Sequence, residues 1–521
     1  MSQKNTSRGK LWRKFIAFVF IMFSIAACEF NRTSFATTKD VEEDIIDSSD
    51  TYAQLTVDNE YFTYLPIIRA SKEENILGMQ MGYISYSSGL SQLASTQSYW
   101  VGGAPILWSE IEKTKGNYDW SAAESSAIQW QSASSEGFYP IGNVRSTPTW
   151  AQLRPGYYCG PMKEQYFKDF AEFMRQVVSR YSVPPYNVKY WEIWNEPDVD
   201  YRLVGGDSQF GCLGNSDDKK YYGGGYYAKM LKAVYPAIKS ANPNAQVLVG
   251  GLLLDCNPDK PGIDCISSRF FEGIVANGGG PYFDGVSYHA YNYFSYTWGL
   301  PEGDRYSQNL GHYKSNDKWN SQWNTTGPVL IEKAGYLNGI LSKYGVSGKY
   351  LLNTEDALNC SVCSGEIVDP YNENPTPAFE TTKAYYIVQA NAAARNLGLK
   401  ANLWYSLLGW PEKNTGLLNA DLSEREGFVA YRVASEKLSG VENLGVITSS
   451  DINPITGISG YKFIRKNRQV WVVWSLDGNN HDVTLHSSNN LAAITDALGV
   501  AQPLSTSCTI TIKPLYIEWI P

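Results

Sequence analysis

From about residue 76 to residue 438 the chain alternates short, continuously apolar runs with longer stretches whose apolar positions recur every three or four residues. Eight runs have the length and the β-branched or aromatic content of buried strands: Ile76–Gly82, Tyr99–Leu107, Phe138–Val144, Val188–Trp194, Gln246–Gly251, Gly285–Ala290, Tyr350–Thr354 and Asn402–Leu407. Between them, Met162–Tyr181 places Phe167, Phe170, Ala171, Met174, Val177, Val178 and Tyr181 on one helical face. Tyr226–Ser240 does the same with Tyr227, Met230, Leu231, Val234 and Ile238, and Pro236 predicts a kink there. Ala378–Leu397 is an alanine-rich helix, and Gly427–Leu438 is another helix. Eight strands separated by helices predict a closed (β/α)8 TIM barrel over residues 76–438 rather than an open, doubly wound sheet.

After residue 438 the period changes. Alternating runs at Gln469–Leu476, Asp482–Leu485 and Cys508–Ile520, with turn residues such as Asp477-Gly478-Asn479-Asn480 between them, predict a small antiparallel β-sandwich over 439–521. It is either a buttress for the barrel or a carbohydrate-binding module. No repeat of 20–50 residues is present, which disfavours a solenoid or propeller.

The amino-terminal end follows neither pattern. Lys4, Arg8, Lys10, Arg13 and Lys14 precede the apolar run Phe15–Ala27, which is 13 residues long and too short to span a bilayer comfortably. The layout is that of a secretory signal. Ile25-Ala26-Ala27-Cys28 resembles a bacterial lipobox, in which Cys28 becomes the lipidated first residue; a plain signal peptide is the rival reading, and both predict export. Residues 29–75 are polar and read as a tether.

Charge and composition then narrow the partners. The formal charge of −8 becomes −13 once the five basic residues of the leading segment are set aside. An acidic surface disfavours nucleic acid and anionic membrane, leaving neutral substrates. Aromatic content is 14%, with 37 Tyr and 16 Trp, which suits either a large core or flat faces for stacking on pyranose rings. No GxGxxG follows the first strand and no GxxxxGK[ST] occurs, so no nucleotide cofactor is expected. Export permits disulfides, and the positions suggest Cys159 with Cys212, Cys256 with Cys265 and Cys360 with Cys363, leaving Cys508 single. No metal site is expected, because the one CxxC has none of the four histidines near it in sequence.

Candidate chemistry collects at the ends of the predicted strands. The fourth, within Val188–Asp198 (VKYWEIWNEPD), stops at Asn195-Glu196-Pro197, since Pro197 supplies no ladder N–H. The seventh, YLLNTEDAL, ends in Glu355, with Asp356 as the competing carboxylate. Two carboxyl groups at one mouth of a barrel are what glycoside hydrolysis needs: one protonates the leaving oxygen, the other attacks the anomeric carbon or activates water. In the sixth strand, GVSYHAYNYF, Ser287, His289 and Tyr291 share a face, which puts His289 and Tyr291 beside the carboxylates. Arg145 ends the third strand, either holding a carboxylate ionised or forming a surface ion pair. Trp404, in the eighth, is either a core plug or a sugar platform.

WEIWNEPD, YHAY and LLNTED, at these separations, resemble the acid/base strand, sixth strand and nucleophile strand of glycoside hydrolase clan A, the retaining (β/α)8 glycosidases. Trp108–Ser121 (WSEIEKTKGNYDWS) and the appended β-domain resemble family 39 and its relatives. The resemblance covers about residues 76–521. It implies that Glu196 is the acid/base and Glu355 the nucleophile, that Asn195 bonds the sugar 2-hydroxyl, that His289 and Tyr291 orient the carboxylates, and that Trp404 floors the −1 subsite. The Thr-Glu-Asp of the nucleophile segment, the cysteine pair after it and the long aromatic loop Asn292–Pro328 depart from the family pattern. The expected function is a retaining glycosidase whose Glu196 carries a raised pKa. The alternative is an idle, surface-anchored glycan-binding lipoprotein. A serine or metal hydrolase lacks its motifs, having neither GxSxG elbow nor HExxH.

Overall fold

The computed structural model describes residues 56–57, 60–61, 75–82, 86–258, 265–294, 323, 327–360, 363, 375–409 and 414–521. The predicted signal segment (1–28, with Cys28) and most of the tether (29–75) lie outside the described residues. Within the tether, Thr56–Val57 pairs antiparallel with Glu60–Tyr61, a ladder local to that segment.

From Leu77 onward, parallel strands and helices alternate in the predicted order. The strands are β1 (Leu77–Gly82), β2 in two pieces (Trp100–Gly102 and Pro105–Leu107), β3 (Tyr139–Arg145), β4 (Tyr190–Asn195), β5 (Gln246–Leu252), β6 (Gly285–Tyr293), β7 (Tyr350–Asn359) and β8 (Ala401–Leu408). Each pairs with its sequence neighbours, β8 closes on β1, and the first piece of β2 bridges β1 and β3, so the sheet is a closed (β/α)8 barrel. Its helices are α1 (Tyr86–Leu93), α2 (Glu124–Ser135), α3 (Phe167–Tyr181), α4 (Gly224–Ala241), α5 (Phe270–Ala276), α6 (Leu330–Lys343), α7 (Pro377–Asn396) and α8 (Glu426–Leu438). On α3 the predicted apolar face is the buried one, with Phe173 added. Helix α4 runs through Pro236 to Ala241.

The barrel interior is filled in layers. Trp100, Ile141, Tyr190, Leu248, Leu352 and Leu403 form a lower apolar plug. Above it the filling turns polar: Glu192, 5% exposed, accepts hydrogen bonds from Asn143 Nδ2 (2.9 Å) and Thr354 Oγ1 (3.0 Å). A packed floor beneath a polar layer leaves only the carboxyl ends of the strands open for chemistry.

Antiparallel strands follow α8: β9 (Glu442–Val446), β10 (Ile452–Asn453), β11 (Ile458–Arg465), β12 (Arg468–Ser475), β13 (His481–Leu485), β14 (Asn490–Asp496), β15 (Ser507–Ile510) and β16 (Leu515–Ile520). They form a five-stranded sheet, β9-β11-β12-β16-β14, and a three-stranded one, β10-β13-β15. Period two divides β12 cleanly: Trp471 and Val473 face the sandwich interior, while Val470, Val472 and Trp474 belong to the core shared with the barrel helices. That shared core explains why α7 is buried on nearly every side. A groove on this β-domain is lined by Trp471 and Trp519, but each is only 2% exposed and presents no ring face to a sugar.

The cysteines pair as Cys159–Cys212, Cys256–Cys265 and Cys360–Cys363, and Cys508 is free. The first bond ties the loop after β3 to the loop after β4, beside the barrel mouth.

Candidate active site

Glu196 directly follows β4, where the chain leaves the sheet abruptly. Trp194 (φ +76°) and Glu196 (φ +46°) both occupy the left-handed region that non-glycine residues avoid. The Glu196 N–H is held by the Gly251 carbonyl of β5 (2.9 Å), and the Asn195 carbonyl accepts the Gly211 N–H (2.9 Å). The indole of Trp194 turns away, donating to the Gly211 carbonyl (3.0 Å). Strain is thus concentrated where a buried carboxylate is aimed inward.

Glu355 reaches the same place by a register shift. Along β7, Leu352 and Asn353 pair with Ser287 and Tyr288 of β6, but the next partnered residue, opposite His289, is Glu355. Strict alternation would send Thr354 and Asp356 inward together. The bulge instead turns both Thr354 and Glu355 to the interior and Asp356 outward, where it meets Tyr386 of α7 (3.0 Å) and Asn402 (3.2 Å). Asp356 is fully buried there, turned to the opposite side of β7 from Glu355.

His289 links the two glutamates. Its Nδ1 lies 2.9 Å from Glu196 Oε1 and 3.3 Å from Glu355 Oε2, and one ligating atom from each of the three residues lies within 4.8 Å of the others. The Nε2 edge packs against Gly251 without a hydrogen-bond partner among the described residues, so only the Nδ1 edge exchanges protons with the site. The Tyr291 hydroxyl donates to Glu355 Oε2. Although two carboxylates and a histidine are also a possible metal-ligand set, Nδ1 is already engaged with both acids.

Burial opposes a charge on His289, but the fields of Glu355, Glu196 and Glu192 outweigh it and raise its pKa to about 9. Glu355 has its pKa raised to about 7, by burial first and also by the Glu196 charge, against the opposing pull of His289 and the Tyr291 hydroxyl. Acids this close titrate as a unit. The raised His289 pKa has a thermodynamic consequence. Between about 6.5, its unfolded value, and about 9, the native site keeps a proton that the unfolded chain has released, so stability falls as pH rises through that window. His289→Asn should flatten that slope by roughly 1–3 kcal/mol, read from unfolding midpoints at pH 6 and pH 9.5. An unchanged slope would show that His289 is neutral.

The other expected site residues divide. Asn195, half-buried, adjoins Glu196 at the end of β4. Arg145 ends β3 without an ion pair within 4 Å among the described residues; burial opposes its charge, while Glu355 is the largest favourable neighbour. It lines a cleft of about 170 Å³ with Ser146, Tyr158, Trp194 and Phe210. Trp404 is corrected. It faces the helices, 2% exposed, with its indole N–H donating to the Thr415 carbonyl (2.9 Å) and its ring beside Tyr386. The aromatic of β8 that faces the mouth is Tyr405, whose ring meets Tyr291 edge-on at 6.3 Å. Period two contained this signal, because Leu403 fills the barrel interior and Tyr405 lies two residues on.

No protein-family model and no curated protein matches the chain. Solved structures do. A family 39 glycoside hydrolase from the gut symbiont Bacteroides cellulosilyticus WH2 aligns with a TM-score of 0.60 at 17% identity, over 88% of this chain and 84% of that one. A family 30 endoxylanase from Clostridium papyrosolvens C71 gives 0.52 at 11% identity, over 87% and 98%. A monomeric beta-xylosidase from Caulobacter crescentus CB15 gives 0.50 at 13%, over 87% and 98%. The fold is therefore a (β/α)8 barrel with a carboxy-terminal β-domain, shared with structures of family 30 and family 39 glycoside hydrolases alike, and the likeness does not single out family 39. The acid–histidine cluster at its mouth is consistent with a glycosidase active site.

Proposed function

We propose that the protein is a retaining glycoside hydrolase that cleaves O-glycosidic bonds of an oligo- or polysaccharide by double displacement. One observation carries the reading: one carboxylate oxygen of Glu196 and one of Glu355 lie within 4.8 Å of each other, both beside His289 Nδ1. Retaining pairs stand about 5–5.5 Å apart, whereas inverting pairs need about 6.5–9.5 Å to admit a water.

Glu355 takes the nucleophile's part from its match to the nucleophile strand of the clan, and the Tyr291 hydroxyl that donates to its oxygen offsets part of the burial that opposes its charge. Glu355 bonds to the anomeric carbon as the glycosidic C–O bond breaks, and Glu196 gives its proton to the departing oxygen. Glu196 then takes a proton from water, whose oxygen displaces Glu355 and restores the original anomeric configuration. In this reading Asn195 bonds the 2-hydroxyl, and Tyr405 takes the subsite role first expected of Trp404. Residues 108–121 and the β-domain favour family 39 and its relatives within the clan. The leading segment supports export, either to the cell surface with a lipid anchor at Cys28 or, if it is a plain signal peptide, by secretion.

The test is a panel of aryl glycosides and polysaccharides, begun with xylosides and glucosides because structural neighbours bear those names. Proton NMR of the fresh product should show the substrate's own anomer first. Initial release of the opposite anomer overturns double displacement, and glycan binding without hydrolysis identifies the idle, glycan-binding lipoprotein instead.

A further inference from the structure

Behind the loop that carries Glu196 lie two buried ionisable groups that the proposed chemistry does not use. Asp198, 3% exposed, accepts the Leu253 N–H with one oxygen (2.9 Å) and the Leu254 N–H with the other (2.8 Å), just past the end of β5. Leu254 itself has a φ of +48°, so this turn is held in a conformation leucine avoids. Lys333, on the barrel face of α6 and 1% exposed, donates to the Leu253 carbonyl (2.7 Å) and the His289 carbonyl (2.8 Å). Leu253 is therefore gripped at both ends of its peptide groups, by Asp198 from the β4 side and by Lys333 from α6. The second acceptor of Lys333 is the backbone of the residue whose ring touches both glutamates. A third link joins the same parts: the Glu196 N–H bonds the Gly251 carbonyl, and a Cβ on Gly251 would lie 2.1 Å from His289 Nε2, so only glycine fits between them.

We propose that Asp198 and Lys333 form a buried clasp that sets where Glu196 stands against His289, and with it the ability of Glu196 to donate a proton. They are positioning residues; neither is placed on the reacting atoms. The inference rests on Glu196 being the acid/base. Keeping two ionisable groups out of water is costly unless their hydrogen bonds return it, and an apolar peg would hold α6 to the barrel as well. The charged groups facing Lys333 are Asp198 and Asp255 beside the β5 end, Glu196 after β4 and Asp356 on β7.

A structural peg and a positioning clasp differ in how leaving groups are treated. A 2,4-dinitrophenolate departs without protonation, whereas a methoxyphenolate needs the proton of Glu196. Asp198→Asn keeps the side-chain volume but turns an amide N–H toward one backbone N–H, and Lys333→Met keeps the stem and removes the donor. With both glycosides made on a sugar the wild type hydrolyses, kcat/KM for the methoxyphenyl glycoside should fall about 10-fold or more beyond any fall for the dinitrophenyl one. Equal losses on both substrates, or none, overturn the clasp. Asp198→Asn gives the readout if Lys333→Met does not fold, and failure of both to fold makes the pair a structural peg and sinks the proposal. A wild type inactive on every glycoside overturns the reading of the site and the clasp together; an active wild type with evenly slowed variants overturns the clasp alone.

Discussion

Glu355→Ala should lower turnover of every glycoside by about 10⁴-fold or more, the largest effect of any single change in the site. The loss should not depend on the leaving group, since no carboxylate remains to form the glycosyl-enzyme. Folding should survive. The native site holds Glu355 against burial and the Glu196 charge, so alanine removes an unfavourable ionisation and the unfolding midpoint should stay level or rise. Azide supplied to the variant has the vacated carboxylate's space to enter. It would attack the anomeric carbon from that side as the aryl leaving group departs, giving a glycosyl azide of inverted configuration. Turnover near wild type, or an azide product of retained configuration, removes Glu355 from the nucleophile's role.

The barrel was legible in the sequence because its strands are buried on both faces and read as apolar runs. Each of the eight predicted runs overlaps an observed strand, and the errors are at ends. Tyr99–Leu107 is two short pieces rather than one, with Gly103 at a φ of +108° between them. The carboxylates were legible as runs ending in Glu, but the choice of Glu355 over Asp356 depended on a bulge that alternation does not reveal. Of the two readings of Trp404, core plug or sugar platform, the packing fits the first, and the ring toward the mouth is that of Tyr405, two residues after Leu403 of the barrel interior. Lys333 gave no warning at all, because a lysine in an amphipathic helix reads as a solvated residue, and only the packed α6–β6 contact reveals an ammonium holding two carbonyls. The aromatic loop after the sixth strand, Asn292–Pro328, lies mostly outside the described residues, so substrate preference is left to the glycoside panel.

Glu196→Gln should separate the two half-reactions that Glu355→Ala stops together. Glutamine keeps the shape and an acceptor near His289 Nδ1, but it has no proton to give. For a poor leaving group, formation of the glycosyl-enzyme should slow by about 10²–10⁴-fold, the usual weight of general acid catalysis. For a dinitrophenyl glycoside that step needs no acid and should remain fast, so the glycosyl-enzyme accumulates and the reaction shows a burst of one phenolate per site. The slow step is then attack by water, which has lost its base. Azide needs no base and should restore turnover, here giving a glycosyl azide of retained configuration, because it displaces Glu355 from the opposite side. The two variants thus give azides of opposite configuration, a pattern that follows only if Glu196 and Glu355 hold different roles on one anomeric carbon. The same azide configuration from both variants, or equal losses on good and poor leaving groups in Glu196→Gln, would reject that division of roles even if both residues proved essential.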